Sequence, residues 1–268
     1  MTLLHILILS LIQGFTEFLP VSSSGHLVLL PYLFGWQDQG QIMDVALHVG
    51  TLAAVILYFW HDIWCMVTNF YTYMTRGFQQ RDLNDSVRLA LSIVIATLPA
   101  IGAGFILKKV GLGDIRQIAI IATTTIVFAG VLYAADHFSS QKKGLNDMTL
   151  GRGFLIGLGQ AMALIPGVSR SGICISVALS LGFTRVAAAR FAFLMSIPVI
   201  IGAATLTTYD AVKAGTPLIW GDIGIGIIFS ALASLAAIHF MLTFLARHSL
   251  NIFVIYRIVL GLMIWVLL

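Results

Sequence analysis

Charge is scarce in this chain of 268 residues: only 10% are aspartate, glutamate, lysine or arginine, and there is a single glutamate, Glu17. A soluble domain carries roughly 25% charged residues, so the composition excludes an ordinary soluble protein. Apolar residues make up 59% of the chain, and the mean hydropathy is +0.98. We therefore predict an integral membrane protein. Its spans should be helical, because the long apolar runs do not alternate as barrel strands do.

Cysteine is also rare, since Cys65 and Cys174 are the only two. They lack the number and spacing of a disulfide framework or a zinc site. The net charge of +4 would suggest a nucleic-acid partner in a soluble protein, but in a membrane protein it reflects basic cytoplasmic loops. We predict no nucleic-acid partner. The apolar N-terminus lacks the basic region and cleavage site of a signal peptide, so we interpret it as part of the mature fold.

Six stretches are long and apolar enough to cross a bilayer: residues 42–60, 89–107, 118–135, 187–206, 223–246 and 252–268. Two further apolar regions, 1–34 and 153–181, are broken in the middle by proline, glycine and serine. The arm before the first break would be about 18 Å long as a helix, too short for a hydrocarbon core of about 30 Å. Each broken region is therefore predicted to form a re-entrant pair of half-helices.

The two halves of the chain follow one plan: a broken pair, a span, a loop and two further spans. With one gap at Gly167, residues 21–25 align with residues 168–172, and an offset of 146 residues, without that gap, places Asp44 opposite Arg190. Three spans separate the broken pairs, so the pairs should enter from opposite faces and meet near the midplane as an inverted repeat. Chance similarity between two glycine-serine breaks is the alternative.

The predicted architecture is therefore all-α and polytopic, with six transmembrane helices and two re-entrant pairs. It forms one membrane domain, residues 1–268, with repeats at approximately 1–135 and 150–268. One set of loops holds Arg76, Arg81, Arg88, Lys142, Lys143, Arg152, Arg185 and Arg247, and the other holds Lys108, Lys109, Arg116 and Lys213. The more basic set should be cytoplasmic, which places both termini outside.

Polar residues gather at the first break: Gln13, Glu17, Ser22, Ser23, Ser24 and His26. A charged, unpaired Glu17 at this depth would be costly. It is either hydrogen-bonded to a neighbouring helix, or it is a general base or a ligand for a divalent cation, with Arg170 as its natural partner. Gln13 lies one turn earlier on the same helix face and can donate a hydrogen bond but cannot act as a base.

The three serines follow Pro20 and should open the second half-helix, where free N–H groups and the helix dipole favour an anion. One serine then serves as the N-cap. A lone histidine on an apolar face is usually a satisfied core residue. His26 differs because Glu17 and the serines are close to it in the chain, whereas we assign no role to His48 or the remaining histidines.

The second break repeats this arrangement after Pro166, with Gly167, Ser169, Arg170 and Ser171. Arginine presents a planar fork of donors that matches phosphate oxygens, and it stays charged when buried. The alternative is an interfacial arginine whose side chain extends to water. Its position at the tip of a broken segment favours phosphate binding.

These two motifs resemble those of the undecaprenyl-diphosphatase family of bacterial membrane enzymes, which is associated with bacitracin resistance. The family's first motif is Glu or Gln, three residues and Glu, followed by Pro-Val-Ser-Ser-x-Gly-His, and it is similar to residues 13–17 and 20–26. The second, Pro-Gly-x-Ser-Arg-Ser, is similar to residues 166–171. Two positions depart from the pattern. Gln13 leaves only one carboxylate, and Cys174 replaces a threonine, so a hydroxyl contact is missing or replaced by a thiol.

The resemblance implies hydrolysis of undecaprenyl diphosphate to the monophosphate and inorganic phosphate, which recycles the lipid carrier of cell-wall synthesis. It implies that Glu17, Ser23, His26 and Arg170 are catalytic, and that Gln13, Ser22, Ser24, Ser169, Ser171 and Gly167 bind substrate. Ser23 or His26 would attack, or would position the attacking water, and Glu17 would orient or deprotonate that group. Mg²⁺ or Ca²⁺ at Glu17 could share the diphosphate charge. No organic cofactor is expected.

We further expect a homodimer in the bacterial inner membrane, with the site open to the periplasmic face. Asp44, Arg190 and Cys174 are candidates for supporting the site. Asp44 and Arg190 would be direct partners, or would each support the neighbouring tip, or would each lie at a membrane interface. The rival function is a lipid flippase or secondary transporter, since such proteins are built from inverted repeats with broken helices. The serine–histidine row favours the phosphatase, because transport does not require it.

Overall fold

The structure is a computed structural model that describes residues 2–79, 83–110, 117–214 and 219–266. In these residues the chain is helical, with no strand and only one isolated bridge between Lys143 and Phe183. The helices are α1 (Leu3–Phe18), α2 (Ser23–Phe34), α3 (Gly40–Tyr58), α4 (Trp60–Thr75), α5 (Asp85–Val110), α6 (Ile118–Phe138), α7 (Leu150–Met162), α8 (Arg170–Ser180), α9 (Arg185–Lys213), α10 (Trp220–Leu245) and α11 (Asn251–Val266), with a 3₁₀ turn at Leu145–Asp147.

The predicted all-α polytopic class is confirmed. Five helices, α3, α5, α6, α9 and α10, are long and apolar enough to cross a membrane. The sixth predicted span falls on α11, whose described part has 16 residues. At 1.5 Å per residue it is about 24 Å long, shorter than the five others. Residues 267–268 of that prediction lie outside the described part of the chain, as do Arg81 and Arg116 of the loop-charge prediction and the side chain of Lys108.

The loop predicted after the first span is instead the helix α4, which follows α3 with only Phe59 between them. Trp60, Trp64 and Tyr71 lie on its exposed side, while Met66 is buried. These positions recur at helical spacing, so one face of α4 packs inward and the other is apolar and exposed.

Both predicted helix breaks are confirmed. We call residues 19–25 the first tip and residues 165–172 the second tip. At the first tip α1 ends and α2 begins at Ser23, and at the second tip α8 begins at Arg170. Ser22 and Ser169 are the two N-caps, and both have a positive φ, of 73° and 70°. A left-handed residue reverses the chain and lets a new helix start there. The membrane face from which each pair enters stays a prediction.

The two halves of the chain interlock, because the first arm of each broken pair packs against the second span of the other half. In the α1–α10 contact, a Cβ at Gly14 would lie 2.5 Å from that of Ala233. In the α7–α5 contact, a Cβ at Gly157 would collide with the Ala96 carbonyl. Glycine is required at both positions because the backbones of the paired helices approach so closely. This exchange brings the two tips together.

Candidate active site

The Glu17 carboxylate lies where the two tips meet. It is 5% exposed and belongs to the last turn of α1. Its Oε1 accepts a hydrogen bond from Arg170 Nη2 at 3.0 Å. Its Oε2 accepts from Ser23 Oγ at 2.5 Å and from Gln13 Nε2 at 3.0 Å. The sequence-based pairing of Glu17 with Arg170 is thus observed, and a buried charge has an opposite charge and two neutral donors.

The Arg170 guanidinium spans two acceptors, since Nη1 donates to the Ala192 carbonyl of α9 at 3.0 Å while Nη2 donates to Glu17. Arg170 is the first residue of α8, so its side chain leaves from the positive end of that helix dipole. Only 13% of the side chain is exposed. A cation in this position, with donors in a rigid fork, can bind an anion that enters from the cavity.

The serines build the same geometry at each tip. Ser22 Oγ accepts from Gly25 N at 3.4 Å, and Ser169 Oγ accepts from Gly172 N at 3.1 Å. Each capping serine also lies near the hydroxyl two residues later, at 3.4 Å in the first tip and 3.3 Å in the second. Ser171 Oγ donates across to the Leu19 carbonyl at 2.9 Å. The tips are thus joined by hydrogen bonds as well as by the ion pair.

A cavity of about 500 Å³ opens onto these groups. The polar residues that line it are Glu17, Ser22, Ser23, Ser24, Gln41, Asp44, His48, Gln160, Ser169, Arg170, Ser171 and Thr207. Its apolar wall includes Leu27, Val28, Val45, Ala100, Leu164, Val199, Ile200, Ala203 and Ala204. A second cavity of about 590 Å³ shares Gln41 and Thr207 with it but contains none of the tip serines. The smaller cavity is therefore the candidate site, and it suits an amphiphile with a charged head and a hydrocarbon tail.

His48 is a site residue that the sequence reasoning missed. Its Nδ1 lies 2.7 Å from the Asp44 carbonyl, and its Nε2 lies 3.5 Å from Glu17 Oε2. Because a carbonyl can only accept, Nδ1 carries the proton, and Nε2 is the atom that faces the carboxylate. The available signal was helical spacing: His48 lies one turn after Asp44, which had already been singled out.

His26 does not join Glu17 and Ser23 as expected. Its Nδ1 lies 2.7 Å from the Ser22 carbonyl, and its Nε2 lies 2.7 Å from the Tyr256 hydroxyl of α11. The two rings are stacked, with centroids 5.8 Å apart. In the described part of the chain His26 is not among the residues lining the cavity. Both ring nitrogens are engaged by the tip backbone and α11, so a catalytic role for His26 stays a prediction.

Gly167 and Cys174 lie beside the site rather than on the wall of the cavity. Gly167 has φ +89°, and a Cβ there would collide with Thr124 Oγ1, so glycine is required for the second tip to pack on α6. Cys174 is fully buried and belongs to the largest apolar cluster. Neither residue lines the cavity among the described residues, so their roles at the site stay predictions.

The predicted direct pair of Asp44 and Arg190 is wrong. Arg190 Nη2 instead donates to Asp62 of α4 at 2.7 Å and lies over the Phe59 ring. Asp44 accepts from Gln39 at 2.7 Å and lines the cavity. The cause is α4: a helix was not expected there, and its first turn carries the carboxylate that meets Arg190. Asp44 thus retains a place beside the site, and Arg190 pairs elsewhere.

Arg257 of α11 was also missed. It is fully buried. It donates to the carbonyls of Pro20 in the first tip, of Gly167 and Val168 in the second tip, and of Thr125 in α6, at distances from 2.9 to 3.1 Å. The signal was an arginine inside an apolar span, since charge at membrane depth is rarely without a function.

A resident metal ion does not fit the predicted ligand Glu17. Both oxygens of that carboxylate already accept protein hydrogen bonds, and the Arg170 guanidinium lies against one of them. Among the described residues, no group of three or more His, Cys, Asp or Glu could hold a metal ion. Glu17 is therefore a carboxylate whose oxygens are occupied by hydrogen bonds from Gln13, Ser23 and Arg170.

The chain is similar to known proteins over nearly its whole length. Residues 6–263 match the family described as bacitracin resistance protein BacA. An undecaprenyl-diphosphatase of Alcanivorax borkumensis is 44% identical over 255 residues, which cover 95% of each chain. An undecaprenyl-diphosphatase of Teredinibacter turnerae is 44% identical over 266 residues, which cover 99% of each chain. The matches extend through both tips and the helices that hold them, and the chain therefore belongs to the BacA family of bacitracin resistance proteins.

Proposed function

We propose that this multi-pass membrane protein hydrolyses undecaprenyl diphosphate to undecaprenyl phosphate and inorganic phosphate. The reaction recycles the cell-wall lipid carrier and so confers bacitracin resistance. The observation that carries the proposal is the contact of Ser23 Oγ with Glu17 Oε2, in a cavity where Arg170 reaches the same carboxylate. A hydroxyl, a base and a fixed cation lie together where two helix starts converge. Relatives named for this activity share nearly the whole chain at 44% identity.

The diphosphate binds against the two tips. Arg170 and the hydroxyls of Ser169 and Ser171 donate to its oxygens, and the N-terminal ends of α2 and α8 add the partial positive charge of their dipoles. The prenyl chain lies along the apolar wall of the cavity, which includes Val28 and Val199. Binding the head to fixed donors and the tail to hydrocarbon side chains places the terminal phosphorus beside Ser23.

Ser23 is the nucleophile. Its Oγ forms a bond to the terminal phosphorus while the bond from that phosphorus to the bridging oxygen breaks, and the bridging electron pair leaves with undecaprenyl phosphate. The Ser23 proton passes to Glu17 Oε2, the atom 2.5 Å away. Water then attacks the phosphorus of the phosphoserine while its bond to Oγ breaks. Glu17 returns its proton to Oγ, and inorganic phosphate leaves with the oxygen and the protons of the water. Positioning and charge neutralisation supply most of the rate in such transfers.

Gln13 and His48 hold Glu17 in the orientation that this proton transfer needs. Gln13 donates to Oε2 from one helical turn away, and His48 Nε2 donates to the same oxygen when both nitrogens of its ring carry a proton. Oε2 is therefore the oxygen that meets Ser23, while Oε1 is retained by Arg170. Mg²⁺ or Ca²⁺ remains part of the proposal only as an ion that arrives on the diphosphate, with phosphate oxygens and water as ligands.

The protein acts in the bacterial cytoplasmic membrane with its cavity open to the periplasmic side, and it forms a homodimer. The support is the excess of basic residues in the loops expected to be cytoplasmic, and the membrane-enzyme family itself. Cysteine-accessibility labelling of intact cells tests the orientation: a cysteine introduced at Arg152 should be protected from an impermeant maleimide, and one introduced at Lys213 should react. The reverse pattern would place the cavity on the cytoplasmic side.

Release of phosphate from undecaprenyl diphosphate by the purified protein tests the function. Wild type should release one phosphate per lipid, and Glu17→Gln should slow release about 10²–10⁴-fold without loss of folding. EDTA added to the same assay tests whether phosphate release requires Mg²⁺ or Ca²⁺. Movement of lipid between leaflets of proteoliposomes without any phosphate release would instead identify a flippase.

A further inference from the structure

Arg257 occupies an unusual place in the fold. It lies inside the apolar helix α11, and its side chain is fully buried. All five N–H donors of a guanidinium are used: Nε on Thr125 O, Nη1 on Pro20 O and Val168 O, and Nη2 on Gly167 O and Val168 O. Every acceptor is a backbone carbonyl. Among the described residues no carboxylate forms an ion pair with it.

The acceptors explain why an arginine is needed. Pro20, Gly167 and Val168 lie between the half-helices, and no described backbone N–H donates to their carbonyls. The Gly167 carbonyl has one further donor, Thr125 Oγ1 at 3.5 Å. A buried carbonyl without a donor is unfavourable. One planar guanidinium satisfies all three at once, and because they belong to both tips it also fixes the spacing between the tips. No other described side chain donates to the backbone of both tips.

The orientation of the peptide groups follows from these bonds. The described chain has no cis peptide, and in a trans peptide the C=O and the following N–H point in opposite directions. The Val168 carbonyl points at Arg257, so the N–H of Ser169 points away from it. Ser169 lines the cavity. Arg257 therefore fixes the direction of this donor and holds the tip in the conformation from which Arg170 and α8 begin.

We propose that Arg257 is a positioning residue for anion binding: it holds the two tips as one site and leaves a positive charge behind them. The anion is a diphosphate group, and its identity as the head of a prenyl substrate rests on the function proposed above. Arg257 does not contact the anion. Its effect is transmitted through the backbone of Pro20, Gly167 and Val168 and through the field of its charge.

Arg257→Lys tests the proposal, because lysine keeps the charge but has one nitrogen where the fork has three. The measurements are calorimetric binding of inorganic pyrophosphate to the full-length protein in detergent, turnover of farnesyl diphosphate, and the melting temperature. The matched control is Arg185→Lys, at a partly buried arginine that pairs with Asp136 outside the cavity. We expect Arg257→Lys to weaken pyrophosphate binding about tenfold or more and to lower kcat. The control Arg185→Lys should lower the melting temperature and leave pyrophosphate binding and kcat unchanged.

Unchanged pyrophosphate affinity and kcat in Arg257→Lys, with a fall in melting temperature like that of the control, would overturn the proposal and make Arg257 only a structural link. If Arg257→Lys does not fold, Gly172→Ala displaces the guanidinium instead, because a Cβ there would lie 3.1 Å from Arg257 Nη1 and 3.1 Å from Ser169 Oγ. The double variant with Ser169→Ala should bind pyrophosphate more weakly than Ser169→Ala alone. Equal binding would again overturn the proposal.

The proposed function can fail independently. Suppose that the wild type binds pyrophosphate and that Arg257→Lys weakens this binding, but that the wild type does not hydrolyse undecaprenyl diphosphate. The positioning role of Arg257 would then stand, and the phosphatase assignment would be wrong.

Discussion

The two tips share a backbone and differ in chemistry. Ser22 and Ser169 have nearly the same φ, each caps the helix that follows, and each accepts a hydrogen bond from a glycine N–H three residues later. In the alignment of the tips Ser23 falls opposite Arg170. Ala163 stands three residues before Pro166, where Glu17 stands three residues before Pro20. In the proposed mechanism the base and the nucleophile thus belong to the first broken pair, and the anion clamp belongs to the second.

This difference shows how a repeated element becomes a catalytic site. The shared frame gives each tip a helix start that favours an anion. In the proposed mechanism, differences at two positions, Ser23 opposite Arg170 and Glu17 opposite Ala163, decide which segment attacks the phosphate and which holds it. The ion pair between Arg170 and Glu17 requires both tips, so neither half of the chain contains the site alone.

Loss of the chemistry of the first tip should have the largest effect. Glu17→Gln keeps the size of the side chain but removes the base, and we expect kcat on farnesyl diphosphate to fall about 10²–10⁴-fold. Ser23→Ala should be at least as damaging and should abolish any trapped phosphoserine. Ser10→Ala is the matched control, because this buried serine of α1 donates only to its own helix. Near-normal turnover in Ser23→Ala would move the nucleophile elsewhere.

Substitution of Arg170 at the second tip should have the next largest effect on activity. Arg170→Lys retains a charge, but a single ammonium cannot donate both to the Ala192 carbonyl and to an anion in fork geometry. Loss of one charge-assisted hydrogen bond costs about 1.5–3 kcal/mol, so we expect kcat/KM to fall about 10- to 100-fold. The melting temperature serves as the folding control. An unchanged kcat/KM in Arg170→Lys would show that Arg170 does not bind the anion as proposed.

The two histidines near the first tip should differ from each other. His48→Gln removes the imidazole beside Glu17 but leaves an amide donor, and we expect kcat to fall about 2- to 10-fold, the size of one hydrogen bond. His26→Gln should affect the melting temperature more than kcat, because His26 joins the Ser22 carbonyl to Tyr256. A larger loss of kcat in His26→Gln than in His48→Gln would reverse this order and restore His26 as the catalytic histidine.

The helix caps should show the smallest effects and the greatest similarity. Ser22→Ala and Ser169→Ala each remove one capping hydroxyl, which is worth about 1 kcal/mol. We expect each to lower the melting temperature by about 2–4 °C. Thr184→Ala, which removes the cap of α9 away from the tips, measures the cost of an ordinary cap. Very unequal falls in melting temperature for Ser22→Ala and Ser169→Ala would show that the two caps do not contribute equally to stability.

Helix breaks were predictable because their causes are local. Proline, glycine and serine in an apolar run end one helix and begin another at nearly the same residues in the structure as in the prediction. Helix α4 was not predicted, because its polar residues obscured a pattern that becomes clear only when one face packs on the protein and the other is exposed. The sixth predicted span falls on α11, whose described part, Asn251–Val266, is shorter than the five other spans.

Among the site residues, scarcity was the strongest signal. A single glutamate beside a serine row identified Glu17 and Ser23, and an arginine at the matching break identified Arg170. Nearness in the chain suggested His26 as well; its ring nitrogens contact the Ser22 carbonyl and Tyr256, and its catalytic role stays a prediction. His48 is far from Glu17 in the chain and reaches it only because α3 packs against α1.

The sequence by itself therefore determined the membrane class, the two breaks and the main polar residues, since apolar composition, helix-breaking residues and rare charges act locally. Only the tertiary structure decided which histidine meets Glu17, that Arg190 pairs with Asp62, and that Arg257 satisfies the free carbonyls of both tips. Those contacts join residues from separate helices. They depend on how the helices pack, and composition and spacing along one segment do not encode that packing.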